Sequence, residues 1–132
     1  MKNPVLLLKF SYIIGAILDA LVAIQMFSPD ILILTTGVSS FAPTSNFLYA
    51  SYMSGVMMIS WSVLLIWGYL KPVERKDILL ITILPVIGLM ISAILSTTVG
   101  FLPWVTMIIF LTIQVFLVIL FAASYLLNRT TE

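Results

Sequence analysis

Residues 14–25 read IGAILDALVAIQ, and the setting of Asp19 decides which kind of fold this is. Apolar side chains flank its carboxyl group for a full helical turn on both sides. Whether that helix sits in a water-soluble core or in lipid follows from the rest of the chain. Of its 132 residues, 62% are hydrophobic and only 8% charged, with a mean hydropathy of +1.24. A soluble domain is nearer half apolar and a quarter charged. A fold this small leaves much of its surface exposed and cannot hide so many apolar side chains. The solvent is therefore lipid, and residues 1–132 read as a single transmembrane domain.

Working outward from Asp19, four apolar stretches stand out, near residues 5–27, 46–70, 78–96 and 104–127. Each meets or approaches the roughly 20 residues that cross about 30 Å of hydrocarbon. The first contains Lys9 and Asp19. Its apolar run is too long for a signal peptide and no A-x-A site closes it, so it is expected to remain as a helix. The fold class is all-α: a polytopic four-transmembrane-helix bundle.

The connections set the orientation. Lys2 and Lys9 begin the first span, Lys71, Arg75 and Lys76 lie in KPVERKD between the second and third, and Arg129 follows the fourth. With four spans these bases share one side, which the positive-inside rule makes the cytoplasm. The expected location is the cell membrane, multi-pass, with cytoplasmic N- and C-termini. Lys9, about one turn deep, can snorkel to the interface. In KPVERKD, Pro72 ends one helix and Asp77 is expected to cap the next. Gly100 and Pro103 punctuate the third connection, and Trp104 suits an interfacial anchor. The first connection, SPDILILTTGVSSFAPTSN, opens with Ser28, Pro29 and Asp30 at positions suited to N-cap, N1 and N2, and Gly37 would stop a helix. A short interfacial helix is expected there, with an ordinary loop as the alternative.

Residues four apart share a helix face. Ser11, Gly15, Asp19 and Ala23 form a row of mostly small residues, the kind that lets helices approach closely in lipid. Asp19 should therefore point into the bundle, because a lipid-facing carboxylate is far worse placed. Matching rows are Ser51, Ser54, Gly55, Met58 and Ser62 on the second span and Pro85, Gly88, Ser92 and Ser96 on the third. On the fourth, Gln114 is the deep amide, with Thr106 and Thr112 nearby. At 1.5 Å per residue Asp19 lies about 21 Å above the inner end. Ser92 falls level with it, Tyr49, Ser51 and Tyr52 near that height, and Gln114 slightly deeper. Asp19, Gln114, Ser92, Tyr49, Ser51 and Tyr52 are thus the candidates for ligand or proton binding. The alternative for Asp19 is a hydrogen-bonded strut.

Other chemistry is narrowed by absence. The chain has no cysteine and no histidine, which excludes disulfides, thiol nucleophiles, thiolate or imidazole metal sites and histidine-ligated haem. No catalytic constellation, metal cluster or phosphate loop is visible, and no cofactor is expected. The net charge of +1 and the dispersed bases give no footprint for nucleic acid. The triplet Asn128–Thr130 matches a glycosylation acceptor but falls on the cytoplasmic side.

The segment MFSPDIL (26–32), the long connection after it and WSVLLIWGYLKPVERKDILLIT (61–82) together resemble small four-helix prokaryotic membrane proteins of the DoxX-like group. The resemblance implies a four-helix bundle, in some relatives associated with redox or quinone proteins, and transfers no functional residue. Small multidrug-resistance exporters offer an architectural analogy, an essential acid in the first of four helices. They carry glutamate in a different local motif, and many show little charge bias.

The leading expectation is a small non-catalytic binding or accessory protein. Its bundle would hold an apolar or amphipathic ligand or a partner helix, with Asp19 as the polar contact. The alternatives are a proton-coupled small transporter using Asp19 and a structural subunit of a larger membrane complex. Either would favour a homodimer or larger assembly, since four helices make a thin bundle.

Overall fold

The computed structural model describes residues 4–38 and 41–129. Lys2, Ser39, Ser40 and Thr130–Glu132, on which parts of the charge, loop and glycosylation readings rest, lie outside them. Five helices follow in order: α1 Pro4–Phe27, α2 Pro29–Thr36, α3 Ser45–Leu70, α4 Asp77–Thr98 and α5 Trp104–Arg129. Four of these are long and apolar enough to cross a membrane. Large apolar side chains are exposed along all four, from Leu6 and Ile17 to Leu84 and Ile119, as befits helices solvated by lipid. The expected all-α bundle of four spans is the observed one.

The short α2 forms for the reasons its sequence announces. Pro29 opens it, Asp30 lies in its first turn, and Gly37 closes it in the left-handed region at φ 74°. The Gly37 N–H donates to the Ile33 carbonyl at 3.0 Å, a C-terminal stop that favours glycine. One correction falls on α4. Asp77 is its first residue rather than its N-cap, and no side-chain cap bond is made. A carboxylate in the first turn still complements the helix dipole.

The end where α1 begins and α5 ends is called the inner end, a name for position in the bundle alone. There α1 lies between α3 and α5, α4 packs on α5, and α3 and α4 meet only sparsely. Leu8, Tyr12 and Ala16 of α1 form one core with Leu65 of α3, Leu79 and Val86 of α4, and Leu117 and Phe121 of α5. Glycine notches on α3 admit aromatic side chains of α1 in both halves, Tyr12 at this end and Phe27 at the other. A Cβ at Gly68 would lie 2.8 Å from Tyr12 Cζ, and one at Gly55 would lie 2.9 Å from Phe27 Cζ. Such close approach replaces the hydrophobic drive that lipid does not supply between helices.

Polar ties reinforce this half. The Ser11 and Ser124 hydroxyls are 2.6 Å apart, and the Ser62 hydroxyl donates to the Ala16 carbonyl at 2.8 Å. Tyr12 Oη donates to the Arg75 carbonyl at 2.6 Å. Asn128 Nδ2 donates to the Pro4 carbonyl at 3.0 Å. Arg75 lies over the Trp67 ring, 3.5 Å from its centroid, and donates to the Trp67 carbonyl. The α3–α4 connection is therefore fastened to both α1 and α3.

The outer half is built differently. Its second core, Ala93, Leu102 and Met107 with Phe101, Phe110 and Leu111, involves only α4, α5 and their connection. On the other side, the Ser51 hydroxyl donates to the Met26 carbonyl at 2.6 Å, joining α3 to α1. Two ties bridge the pairs. The Thr106 hydroxyl donates to the Thr36 carbonyl at 2.9 Å, so α2 reaches from the end of α1 to the start of α5. Phe41 meets the Phe47 and Phe101 rings edge-on at 4.6 and 5.1 Å.

Candidate functional site

Asp19 lies where these two halves meet. Its row is the packing face of α1, as expected: Ser11, Gly15 and Ala23 are buried, and Asp19 itself is half-buried. Register gives its height against α5. Ser11 meets Ser124, and a Cβ at Gly15 would lie 3.0 Å from Phe121 Cζ. One turn further along each antiparallel helix sets Asp19 at the level of Leu117. Gln114 is then about one turn further out.

Gln114 faces the bundle, as expected of a deep amide. Its Oε1 is fully buried and accepts no hydrogen bond. Asp19 likewise takes part in no hydrogen bond or ion pair among the described residues. Gln114 Oε1 on α5 is thus a buried acceptor without a partner, and the Asp19 carboxyl on α1, about one turn away in height, is half-exposed and also unpartnered among the described residues. The buried one is costly to leave unmet in an apolar setting.

The hydroxyls expected to surround Asp19 do not gather there. Ser51 is committed to the Met26 carbonyl. Tyr52 is exposed and stacks on Phe27, the ring centroids 6.1 Å apart. Tyr49 is 69% exposed. Ser92 is exposed, because α4 packs through Leu79, Thr82, Val86, Ala93 and Thr97. The row Pro85–Gly88–Ser92–Ser96 is turned roughly a quarter-turn or more round the helix from that face. Nothing lies within 4 Å of a Cβ placed on Gly88. On α3 the expected row is the packing face at Ser51, Gly55 and Ser62, while Ser54 is exposed.

Sequence reading missed the partners that do exist. Ser124 shares a helical row with Gln114, Leu117 and Phe121, so its inward direction was available from spacing. That it meets Ser11 required the pairing of α1 with α5. Trp61 Nε1 donates to the Thr82 hydroxyl at 3.2 Å, a rare tie between α3 and α4, and no spacing announced it. Asn128, noticed only as part of a glycosylation triplet, is 3% exposed and fastens α5 to α1. Among the described residues no group of acids could hold a metal ion.

Fold and site together define a four-span helical membrane protein with unpartnered acceptors at the junction of its halves. No family model, curated protein or solved structure gives a significant match to this chain.

Proposed function

We propose that the protein is a non-catalytic binding or accessory protein of the cell membrane. It takes an amphipathic molecule, or a polar group on a partner helix, at the Asp19–Gln114 level. The observation that carries this reading is the buried, unpartnered Gln114 Oε1 close in height to the half-exposed, unpartnered Asp19 carboxyl. Oxygen acceptors without donors select a guest that supplies donors, such as an ammonium or hydroxyl group on an apolar body. The half-exposure of Asp19 supports access. The inner core supports a binder whose inner end stays closed, rather than a conduit through the bundle.

The test uses tetradecylammonium as probe, with tetradecanoate as its anionic counterpart. Thermal unfolding in uncharged detergent should shift upward with the amine and not with the acid. Asp19→Asn should fold as wild type and lose the shift. An equal shift in Asp19→Asn, or none in wild type, would overturn the reading.

Both termini are proposed to face the cytoplasm, on the grouping of bases at the inner end. Reporter fusions at Glu132 and within residues 28–46 should report opposite sides. An external signal at Glu132 would contradict this orientation.

A further inference from the structure

A second site, separate from Asp19, lies between α1 and α3. Two cavities lie along this seam, and Lys9 of the first approaches the Tyr69 ring of the second, so that together they can serve as one groove. The first, about 300 Å³, lies against the α3–α4 connection and is lined by Lys9, Lys71, Pro72 and Glu74 with Val5, Leu70 and Val73. The second, about 370 Å³, continues outward between Ile13, Ala16, Ile17 and Ala20 of α1 and Ser62, Ile66 and Tyr69 of α3. Ile13, Ile17 and Ile66 are exposed, so the groove opens onto lipid. Its two parts differ in chemistry. The outward part is walled almost wholly by apolar side chains, and the inner mouth carries two cations against one carboxylate. That carboxylate is engaged, since Lys71 Nζ pairs with Glu74 at 2.9 Å. Lys9 has no carboxylate partner among the described residues. Its Nζ lies 5.6 Å from the centroid of the Tyr69 ring, at the join of the two cavities.

We infer that this groove binds an anionic phospholipid of the surrounding bilayer, its phosphate at Lys9 and Lys71 and one acyl chain along Ile13, Ile17, Ala20 and Ile66. The dimensions agree. From Lys9 to Ala20 the helix rises about 16 Å, close to half the roughly 30 Å hydrocarbon thickness that one chain occupies. The charge agrees as well. A lysine ammonium at an interface attracts anionic headgroups, while its methylene stem stays against apolar surface. Ala16 and Ala20 keep the groove floor open, where larger side chains would fill it.

The full-length protein is placed in nanodiscs of equal phosphatidylglycerol and phosphatidylcholine, and retained lipid is counted by native mass spectrometry. Wild type should retain phosphatidylglycerol over phosphatidylcholine by about fivefold or more, the contribution expected of one interfacial lysine. Lys9→Gln, a surface change that leaves the fold intact, should bring the two lipids to parity. Ala20→Phe should lower retention of both by filling the groove. Arg129→Gln, a base outside the groove, should leave the preference unchanged. No preference in wild type, or its survival in Lys9→Gln, would overturn the assignment. Equal loss in Arg129→Gln would do so too, by showing a diffuse surface field rather than a site. Asp19 takes no part in this assay, so its outcome is independent of the amine test.

Discussion

The inner and outer halves of this bundle solve the same problem in two ways. In the inner half all four spans share one core, and its hydroxyls and amide are satisfied across helices by Ser124, the Ala16 carbonyl, the Arg75 carbonyl and the Pro4 carbonyl. In the outer half the spans separate into α1 with α3 and α4 with α5, tied across by α2 and three phenylalanines. Polar groups in a tightly packed half are structural: each has a partner and a place. At the junction, Asp19 and Gln114 have neither. A carboxyl or amide left unmet at membrane depth is costly. The contrast therefore separates residues that hold the protein together from the two on which the proposed binding role rests.

The largest effect should come from probing how tightly the inner half is closed. Gly68→Ala drives a methyl group against the Tyr12 ring, which is fully buried. Overpacking of this kind costs about 1–3 kcal/mol. The same substitution at Gly88, where a methyl meets nothing within 4 Å, should be neutral or stabilising by up to about 1 kcal/mol through helix propensity. Thermal unfolding of the two variants in the same detergent reads the difference. Equal effects would mean that the α1–α3 seam is no tighter than the outer face of α4.

How far the sequence announced this arrangement depends on what each feature needs. Span positions follow from length and hydropathy, and α2 follows from Pro29, Asp30 and Gly37, although Ser28 at its N-cap makes no side-chain cap bond. The packing face at Ser11, Gly15 and Ala23 followed from their small size, because small residues mark packing faces in lipid, while Asp19 in the same row is only half-buried. The same rule misplaced the packing face of α4. Apolar residues surround a spanning helix on every side, so there is no polar face to mark the outside by contrast, and Gly88 and Ser92 were as plausible as Val86 and Ala93. Partnership was beyond reach. Spacing gives the face on which Ser11 or Gln114 lies, but only the order of helices around the bundle says that Ser11 finds Ser124 while Gln114 Oε1 finds nothing.

That last point yields a smaller effect. A hydrogen-bonded Gln114 would lose roughly 0.6–2 kcal/mol on replacement by leucine. With its buried oxygen unpartnered, Gln114→Leu should instead leave the free protein as stable or gain about 1 kcal/mol, since an unmet acceptor is removed. Equilibrium unfolding of wild type and variant distinguishes the two signs, and a clear loss would reveal a partner for the amide.

The central claim is that Asp19 is kept for a guest rather than for the fold, and Asp19→Leu tests it most directly. Thermal unfolding is measured with and without tetradecylammonium. The variant should be at least as stable as wild type without the amine and should gain nothing when it is added. A loss of about 1 kcal/mol or more in the amine-free variant, the signature of a hydrogen-bonded strut, would contradict the account.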